Sequence, residues 1–313
     1  MTMTRTISGA VRLNDWGLIR ARGADAAKFL HGQLTQDIEG LPDGRARLAG
    51  YCSAKGRLLA SFVVWRSAPD EILLACSADL LAPTLKRLSM FVLRAQCKLS
   101  DASAELAVFG LAGDAASAWL GQASPAAAWG LAQQDAATVV RLPDAESIAR
   151  YLLVQPAGAA APALPAIDAS DWAWLEVRSA IPRIVAGTVE HFVPQMVNLE
   201  LVGGVNFQKG CYPGQEIVAR SQYRGTLKRR AWLFDSETEL QPGQEVFHSA
   251  DPGQPSGQVA NAARGPQGAS SALIEVKLAA LADGAGGSWH AGSADGPPLR
   301  PVPPPYPIPA QDA

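Results

Sequence analysis

The sequence predicts an α+β fold that is followed by a small all-β domain. Between residues 58 and 120, strand-like and helix-like segments follow the order strand, strand, helix, strand, strand, helix. This order suits a sheet with helices on one face. After residue 227, short apolar segments are separated by Gly and Pro turns, which is typical of a small β-barrel or sandwich.

The N-terminal segment is predicted to contain two strands and one helix. The strands cover residues 11–13 and 17–22, around the turn-prone pair Asn14-Asp15. The helix is expected to begin at Asp25 and to continue to Gly40, because apolar residues recur at helical spacing. We expect His31 to lie on the polar face of this helix, with no acid or metal ligand near it in sequence. The apolar residues of the pattern are Phe29, Leu30, Leu34 and Ile38.

A hairpin and a second helix come next. Residues 58–65 and 71–76 are apolar runs that flank a Pro-Asp turn, so we expect them to pair. A helix should begin near Ser77 and hold Pro83 in its first turn. Strands at 96–100 and 105–109 precede a helix at 114–120, which Gly121 can end.

The middle of the chain is rich in Ala, Pro and Gly. It contains predicted strands at 138–142 and 151–155, a loop at 158–165 and a helix from Asp168 or Ser170 to Ile181. Glu176 lies among apolar residues of this helix. It is either a solvated charge on the polar face or a carboxylate turned into a pocket to bind donors.

Short strands at 231–234, 245–248, 257–260 and 272–278 predict the C-terminal β domain. The proline-dense end favours a polyproline II arm or an edge strand over a helix. We therefore expect a region at 1–226, a β-barrel domain at 227–296 and a proline-rich tail at 297–313.

Composition limits the classes of function. The 313 residues are 48% hydrophobic and 18% charged, with a net charge of -2, so a polyionic partner would need a local patch. The four cysteines and four histidines show no metal-ligand spacing, and we predict no metal site. No apolar run matches a signal peptide or a membrane span. We expect a cytoplasmic protein without membrane contact.

The segment around Cys211 is the main candidate for chemistry. Gly210 and Gly214 flank Cys211-Tyr212-Pro213, which favours a displayed thiol, and Lys209 and Arg220 would favour the thiolate. A helix starting at Gln215-Glu216 would offer free amides to an anion. The alternative is a buried structural cysteine, since free cysteine is often buried.

Basic residues are concentrated between positions 209 and 230, where Glu216 is the only acid. Such an excess could meet a folate tail, RNA phosphates or an acidic protein. A solvated surface at a domain junction is the alternative. The basic residues are Lys209, Arg220, Arg224, Lys228, Arg229 and Arg230.

These residues closely resemble the YgfZ family of folate-binding proteins, which are relatives of the glycine-cleavage T-protein, an aminomethyltransferase. The family signature, K-G-C-Y/F-x-G-Q-E followed by V-A-R, is complete at residues 209–220. Further matches occur at residues 29–37, at 51–57, at Pro194-Gln195, Asn198-Leu199 and residues 203–205, at Arg224-Gly225, at 228–230 and at Pro305-Tyr306. The resemblance thus covers nearly the whole chain.

The resemblance implies two intertwined α+β lobes and a C-terminal β-barrel around a central folate cavity. It implies tetrahydrofolate or a derivative as the cofactor. It also implies iron–sulfur proteins or their assembly machinery as partners, including enzymes that modify tRNA. By position, Glu176 resembles the carboxylate that contacts the pterin in aminomethyltransferases. The other expected cofactor-binding residues belong to the signature: Lys209, Gly210, Tyr212, Gly214, Gln215, Glu216 and Arg220.

One departure from the aminomethyltransferases concerns the strand after residue 57. Those enzymes carry an aspartate there, near the reacting nitrogen of the folate, whereas this chain has Ala60 and Ser61. A serine hydroxyl does not replace that carboxylate as an acid or base at neutral pH. We therefore predict an accessory factor with Cys211 as its functional thiol and without aminomethyltransferase activity. A one-carbon transferase with altered acid/base residues and a tRNA-binding module are the alternatives.

Overall fold

The computed structural model of the chain describes residues 7–224, 227–266, 268–281 and 287–309. They form two five-stranded antiparallel sheets and one closed β-barrel. The predicted α+β class and the predicted barrel are therefore confirmed. The proposed boundary between residues 226 and 227 adjoins residues 225–226, which lie outside the described residues. Gly225 of the matched pair Arg224-Gly225 and the last four residues of the tail therefore also lie outside them.

The first lobe contains a sheet with the strand order β3-β4-β5-β2-β6. The predicted hairpin is present as β4 and β5, where Trp65 pairs with Leu73. The helices α1 and α2 accompany this sheet, and their apolar residues join its core. The elements are β2 (Trp16–Arg22), α1 (Ala26–His31), β3 (Ala46–Cys52), β4 (Leu58–Ala68), β5 (Glu71–Ser77), α2 (Ala78–Ser89) and β6 (Lys98–Asp101).

The second lobe has the strand order β1-β7-β10-β9-β8. Its first strand comes from the N-terminus, so the two strands on either side of Asn14-Asp15 belong to different sheets. The chain therefore crosses between the lobes, which intertwines them. The elements are β1 (Gly9–Arg12), β7 (Leu106–Ala112), α3 (Gly113–Leu120), β8 (Leu131–Gln134), β9 (Ala137–Ala145) and β10 (Ile148–Pro156).

The helix α1 is shorter than the sequence predicts. It ends at His31, and the chain then turns so that Leu34 forms a bridge with Tyr51 and the Thr35 amide donates to the carbonyl of Gly50. Leu34 and Ile38 are fully buried, so their core position was predicted correctly. The helical extension to Gly40 is wrong because pairing with β3 replaces it.

Pro83 also lies elsewhere than predicted. It is inside α2 rather than in the first turn. Pro83 has no N–H to donate to the carbonyl of Asp79, four residues earlier, and both residues are exposed. Water can therefore satisfy that carbonyl, and the helix continues to Ser89.

The helix α4 (Ala169–Arg178) lies between the second lobe and the barrel. Its Trp172 packs directly on Gly110, where a Cβ would lie 2.5 Å from the indole ring. A glycine in β7 therefore allows the helix to approach the sheet closely. This contact fixes the face of α4 that carries Glu176.

The helix α5 (Gln215–Tyr223) leads to the barrel, whose strand order is β11-β14-β13-β12-β15-β16. The last strand pairs with β11, with Leu233 opposite Val302, and so lies within the stretch assigned to the tail. The barrel strands are β11 (Arg229–Ser236), β12 (Glu245–His248), β13 (Gly257–Arg264), β14 (Ser270–Lys277), β15 (Trp289–Ala291) and β16 (Pro298–Val302).

Candidate functional site

A central cavity lies where the two sheets, α4 and the barrel meet. Its volume is about 130 Å³, and most of its wall is apolar. The polar groups that reach it are few, and they come from all four parts of the fold. The wall includes Trp16, Ser61, Phe62, Trp129, Leu142, Arg150, Glu176, Ile181, Pro182, Arg183 and Asn261.

Glu176 is turned into this cavity and is only 15% exposed. Its Oε1 accepts a hydrogen bond from the Trp16 indole nitrogen at 3.0 Å, and its Oε2 lies 3.2 Å from a guanidinium nitrogen of Arg183. Burial raises the pKa of Glu176, and the charge of Arg183 opposes that rise. Glu176 is therefore a cavity carboxylate and not a solvated charge.

Arg183 and Asn261 connect the cavity to the barrel. Arg183 also pairs with Asp15 at 2.5 Å, and its guanidinium lies over the Trp16 ring. The side chain of Asn261, on β13, accepts from the Arg183 amide at 3.0 Å and donates to the Arg183 carbonyl at 2.7 Å. The barrel thus holds the segment that orients Glu176.

Arg150 is a cavity residue that the sequence analysis did not identify. It is 2% exposed, and it donates two hydrogen bonds to the carbonyl of Pro143, at 3.1 and 2.9 Å. Burial lowers its pKa to about 10, and Glu176 opposes that shift, so Arg150 remains charged at neutral pH. The available signal was an arginine within the apolar strand β10.

Ser61 lies on the cavity wall at the position that the resemblance compares with a carboxylate. It is 5% exposed, and its hydroxyl accepts a hydrogen bond from the Ile184 amide at 2.9 Å. Ala60 is fully buried and offers no polar side-chain atom. The wall therefore presents a hydroxyl that is already hydrogen-bonded, where a transferase would present an acid.

We use the name cysteine turn for residues 209–214. Gly214 adopts the left-handed conformation, with φ of +79°. A Cβ at this position would lie 2.4 Å from the Ser53 carbonyl oxygen and 2.6 Å from the Gly56 Cα. Gly210 has no such positive φ, and a Cβ there would meet His31 Nε2 at an ordinary 3.4 Å. Close backbone packing therefore requires glycine at 214 rather than at 210.

The thiol of the cysteine turn is exposed. Cys52 and Cys76 are buried, and burial raises the pKa of each to about 12. Cys97 is half-buried, and its pKa is raised to about 11 by burial. Cys211 alone among the four cysteines is exposed. The geometry therefore agrees with a displayed thiol and not with a buried structural cysteine.

Lys209 ties the cysteine turn to the first lobe. Its ammonium donates to the carbonyl of His31 at 2.6 Å and to that of Gly210 at 3.1 Å, and it lies 4.9 Å from the centre of the buried Tyr212 ring. Burial lowers the pKa of Lys209 to about 8, while Asp37, Cys211 and Glu39 oppose this shift. A cation of reduced basicity thus lies beside the thiol.

The base of the turn rests on buried polar side chains. Gln195 donates to the Val218 carbonyl of α5 at 2.8 Å, and Asn198 donates to the Ala231 carbonyl of β11 at 2.8 Å. Arg230 pairs with Glu200 at 2.5 Å, and the two side chains are 6% and 4% exposed. This layer joins α5, the helix that directly follows the exposed turn, to the barrel.

No residue of α5 lines the central cavity. Glu216 and Arg220 form an exposed pair at 3.0 Å, one helical turn apart. The amides of Gln215 and Ile217 already donate to the carbonyls of Tyr212 and Gly214. The first turn of α5 therefore offers fewer free amides than its sequence suggests.

The basic stretch is partly neutralised. Arg229 pairs with Glu275 at 2.5 Å, so that Arg220, Arg229 and Arg230, three of the six basic residues, each contact a carboxylate. Arg224 and Lys228 are exposed. The positive excess at the surface is thus smaller than the count from the sequence.

The environment of His31 differs from the prediction. Its Nδ1 lies 3.0 Å from Asp37 Oδ1 and 3.7 Å from Glu39 Oε2. The expectation of a histidine without an acid partner is wrong, because the chain turns after α1 and brings Asp37 back to the ring. The predicted helix to Gly40 includes Asp37, and a helix of that length does not bring Asp37 back to the His31 ring.

The predicted site residues fall into two groups. Glu176 lines the central cavity, whereas the other eight do not. These eight form the cysteine turn and the start of α5: Lys209, Gly210, Cys211, Tyr212, Gly214, Gln215, Glu216 and Arg220. Nearness in sequence to the cysteine therefore did not indicate nearness to the cavity.

Within residues 7–309, apart from the gaps named above, no group of three or more His, Cys, Asp or Glu side chains is arranged to hold a metal ion. No helix in the described part of the chain is both long enough and apolar enough to span a bilayer.

Comparison with known proteins identifies both sequence relatives and a structural neighbour. The family model of the GCVT N-terminal domain matches residues 1–143. The tRNA-modifying protein YgfZ of Colwellia psychrerythraea (strain 34H) is 31% identical over 242 residues, which cover 75% of this chain and 73% of that protein. The protein of the same name from Edwardsiella ictaluri (strain 93-146) is 34% identical over 263 residues, with the same coverage.

One structural neighbour is the glycine cleavage system aminomethyltransferase T from Bartonella henselae. The two structures superpose with a TM-score of 0.72 over 94% of this chain and 85% of the other, at 17% sequence identity. At this identity the similarity shows the fold, which is that of the aminomethyltransferases.

Proposed function

This chain belongs to the YgfZ family, and from that premise we propose that it is a folate-binding accessory factor in tRNA modification. In this proposal it maintains iron–sulfur proteins in the cytoplasm, including tRNA-modifying enzymes, and Cys211 is its functional thiol. The relatives are named as tRNA-modifying proteins. The observation that supports this role is the exposure of Cys211 outside the cavity, in a turn where Gly214 packs too closely on its neighbours to allow a Cβ.

The residues of the central cavity fit the pterin ring of tetrahydrofolate. Glu176 uses one acceptor site of each oxygen for Trp16 and Arg183, and a carboxylate has about four such sites, so acceptors remain for ring N–H donors. Trp16, Phe62 and Trp129 offer apolar and aromatic surface to a flat ring.

The volume of the cavity limits how much of the folate it encloses. A cavity of roughly 150 Å³ holds one benzene ring, and the central cavity measures about 130 Å³. We propose that only the hydrogen-bonding ring of the pterin enters it and that the rest of the folate extends through the mouth. Bound folate would then supply a one-carbon carrier, whereas the chain supplies binding and orientation.

The same cavity argues against aminomethyl transfer. Ser61 and Ala60 supply no carboxylate, and the Ser61 hydroxyl accepts a hydrogen bond from the Ile184 amide. A general acid or base near the reacting nitrogen typically contributes a factor of about 10² to 10⁴. Purified protein should therefore transfer no one-carbon unit from a labelled amine to tetrahydrofolate above the uncatalysed rate.

The proposal is tested in cells that lack the native protein. We expect Cys211→Ala to fail to restore the activity of iron–sulfur enzymes and the tRNA modifications that they make. Cys97→Ala, which changes a half-buried cysteine, is the matched control and should restore both. Full restoration by Cys211→Ala, at equal protein abundance, would remove the functional thiol from the proposal.

A further inference from the structure

The strand β10 brings Arg150 to the wall of the central cavity. The register of β10 against β9 shifts between Ile148 and Arg150. At this shift Pro143 and Asp144 of β9 together face a single residue of β10. Such a bulge bends a strand and re-aims the side chains beside it. Arg150 is 2% exposed, and it lines the cavity together with Glu176.

The guanidinium of Arg150 is held on one side only. Its Nε and Nη2 both donate to the Pro143 carbonyl, at 3.1 and 2.9 Å, and its Cζ lies 5.8 Å from the centre of the Trp172 ring. Its other terminal nitrogen, Nη1, has no hydrogen-bond acceptor among the described residues, and it is not fully enclosed. A donor of a buried side chain therefore remains open towards the cavity that Arg150 lines.

The charge of Arg150 is not paired either. The two acids whose charges act on it are Glu176 and Asp144. Glu176 is paired with Arg183 at 3.2 Å, and Asp144 is paired with Arg141 at 2.5 Å. A buried charge without an ion-pair partner is costly. A ligand oxygen that accepts a hydrogen bond from Nη1 would remove part of this cost.

We propose that Arg150 selects a 4-oxo pteridine ring by donating a hydrogen bond from Nη1 to the ring oxygen. This inference rests on the proposed binding of tetrahydrofolate and names the group by which the cavity selects it. In that ring the 4-oxo acceptor lies directly beside the N–H donors. A carboxylate that accepts from those donors therefore needs a hydrogen-bond donor near it. Glu176 and Arg150 supply these two parts within one cavity of about 130 Å³.

The other polar side chains of the wall are less suited to this oxygen. The guanidinium of Arg183 is already paired with Glu176 and with a second carboxylate. The side-chain amide of Asn261 bonds to both backbone groups of Arg183. The Ser61 hydroxyl keeps a proton to donate, but it is neutral, and hydrogen bonds from a charged donor are stronger. Arg150 is therefore the charged donor that is free to bind the ligand.

A change of one group on the ligand tests the selection. The analogue 4-amino-4-deoxytetrahydrofolate has the tail of tetrahydrofolate but carries an amino donor in place of the 4-oxo acceptor. Wild type should bind tetrahydrofolate roughly tenfold or more tightly than the analogue, because the analogue sets two donors against each other. Tryptophan fluorescence measures both affinities, since Trp16 and Trp129 line the cavity. Equal affinities would overturn the proposal.

A substitution then assigns the selection to Arg150. Arg150→Met should weaken the binding of tetrahydrofolate roughly tenfold or more and should not weaken the binding of the analogue. The control is Arg141→Met, which changes a half-buried arginine of β9 that bonds to Tyr151 and Asp144. It should leave both affinities unchanged. Wild-type affinity for tetrahydrofolate in Arg150→Met, or equal losses for the two ligands, would overturn the proposal.

A second measurement covers the case in which Arg150→Met does not fold. The infrared band of the 4-oxo group, identified by an oxygen isotope label, is compared for tetrahydrofolate in water and bound to wild type. A hydrogen bond from a guanidinium should lower its frequency, whereas a carbonyl without a donor in an apolar cavity should absorb at a higher one. An unchanged or higher frequency would overturn the inference. Wild type that binds neither ligand would instead remove the proposed folate function, so the two failures are distinguishable.

Discussion

The central cavity and the cysteine turn hold their polar groups in opposite ways. In the cavity, Glu176 and Arg183 bond to each other and to other side chains, and they are enclosed by the lobes and the barrel. At the turn, the Cys211 side chain is exposed, whereas the nearby Asn198 and Arg230 are buried. We propose that the cavity binds a flat ligand and that the turn presents its thiol to a larger partner.

Exposure does not make the turn loosely held. The side chains of Gln195 and Asn198 are fully buried and bond to backbone carbonyls of α5 and β11. Gly214 packs on Ser53 and Gly56 without room for a Cβ. Substitutions in this buried polar layer should therefore lower the free energy of unfolding as much as substitutions in a hydrophobic core. Substitutions at the exposed tip of the turn should lower it little.

The largest effect is expected at the ion pair below the turn. Arg230→Met should lower the free energy of unfolding by about 3–5 kcal/mol, because it leaves the buried charge of Glu200 without its partner. Urea denaturation measures this loss. The control is Arg220→Met, which removes an exposed pair with Glu216 and should change stability by less than ~1 kcal/mol. Equal losses of stability in the two variants would show that the buried Arg230–Glu200 pair contributes no more than an exposed ion pair.

A smaller effect separates the two glycines of the turn. Gly214→Ala should cost at least ~1–2 kcal/mol for the left-handed backbone, with a further loss from contact with Ser53. Gly210→Ala has neither positive φ nor a close contact, so it should be nearly neutral. Thermal unfolding of the two variants gives the comparison. A Gly210→Ala loss as large as that of Gly214→Ala would contradict the packing described here.

Parts of this contrast were predictable from sequence. The glycines around Cys211 predict the displayed thiol, and the Gly and Pro turns between short apolar segments predict the strands of the barrel. The separation of Glu176 from residues 209–220 was not predictable, because it depends on where α4 packs between a sheet and the barrel. Likewise, His31 contacts Asp37 because the chain leaves the helical path after α1 and pairs with β3. That pairing is a tertiary contact, which the local sequence pattern does not predict.

A further effect concerns the titration of Lys209. Burial lowers its pKa to about 8, whereas an ordinary lysine titrates near ~10.4. The rate of Lys209 acylation against pH should therefore inflect near 8. The folded state binds the Lys209 proton less tightly than the unfolded state does, so the charged ammonium lowers the free energy of unfolding. This destabilisation is fully present below pH 8. The free energy of unfolding should rise between pH 8 and about 10.4 in wild type relative to Lys209→Met. A Lys209 inflection above pH 10 would mean that its ammonium is not held as described.

The central claim is that folate binding and the thiol occupy separate places. Titration of tetrahydrofolate against tryptophan fluorescence tests it directly, since Trp16 and Trp129 line the cavity. We expect Cys211→Ser to bind tetrahydrofolate with unchanged affinity and Glu176→Gln to bind it at least tenfold more weakly, a loss of ~1.4 kcal/mol or more. Weakened binding in Cys211→Ser, or wild-type affinity in Glu176→Gln, would contradict it.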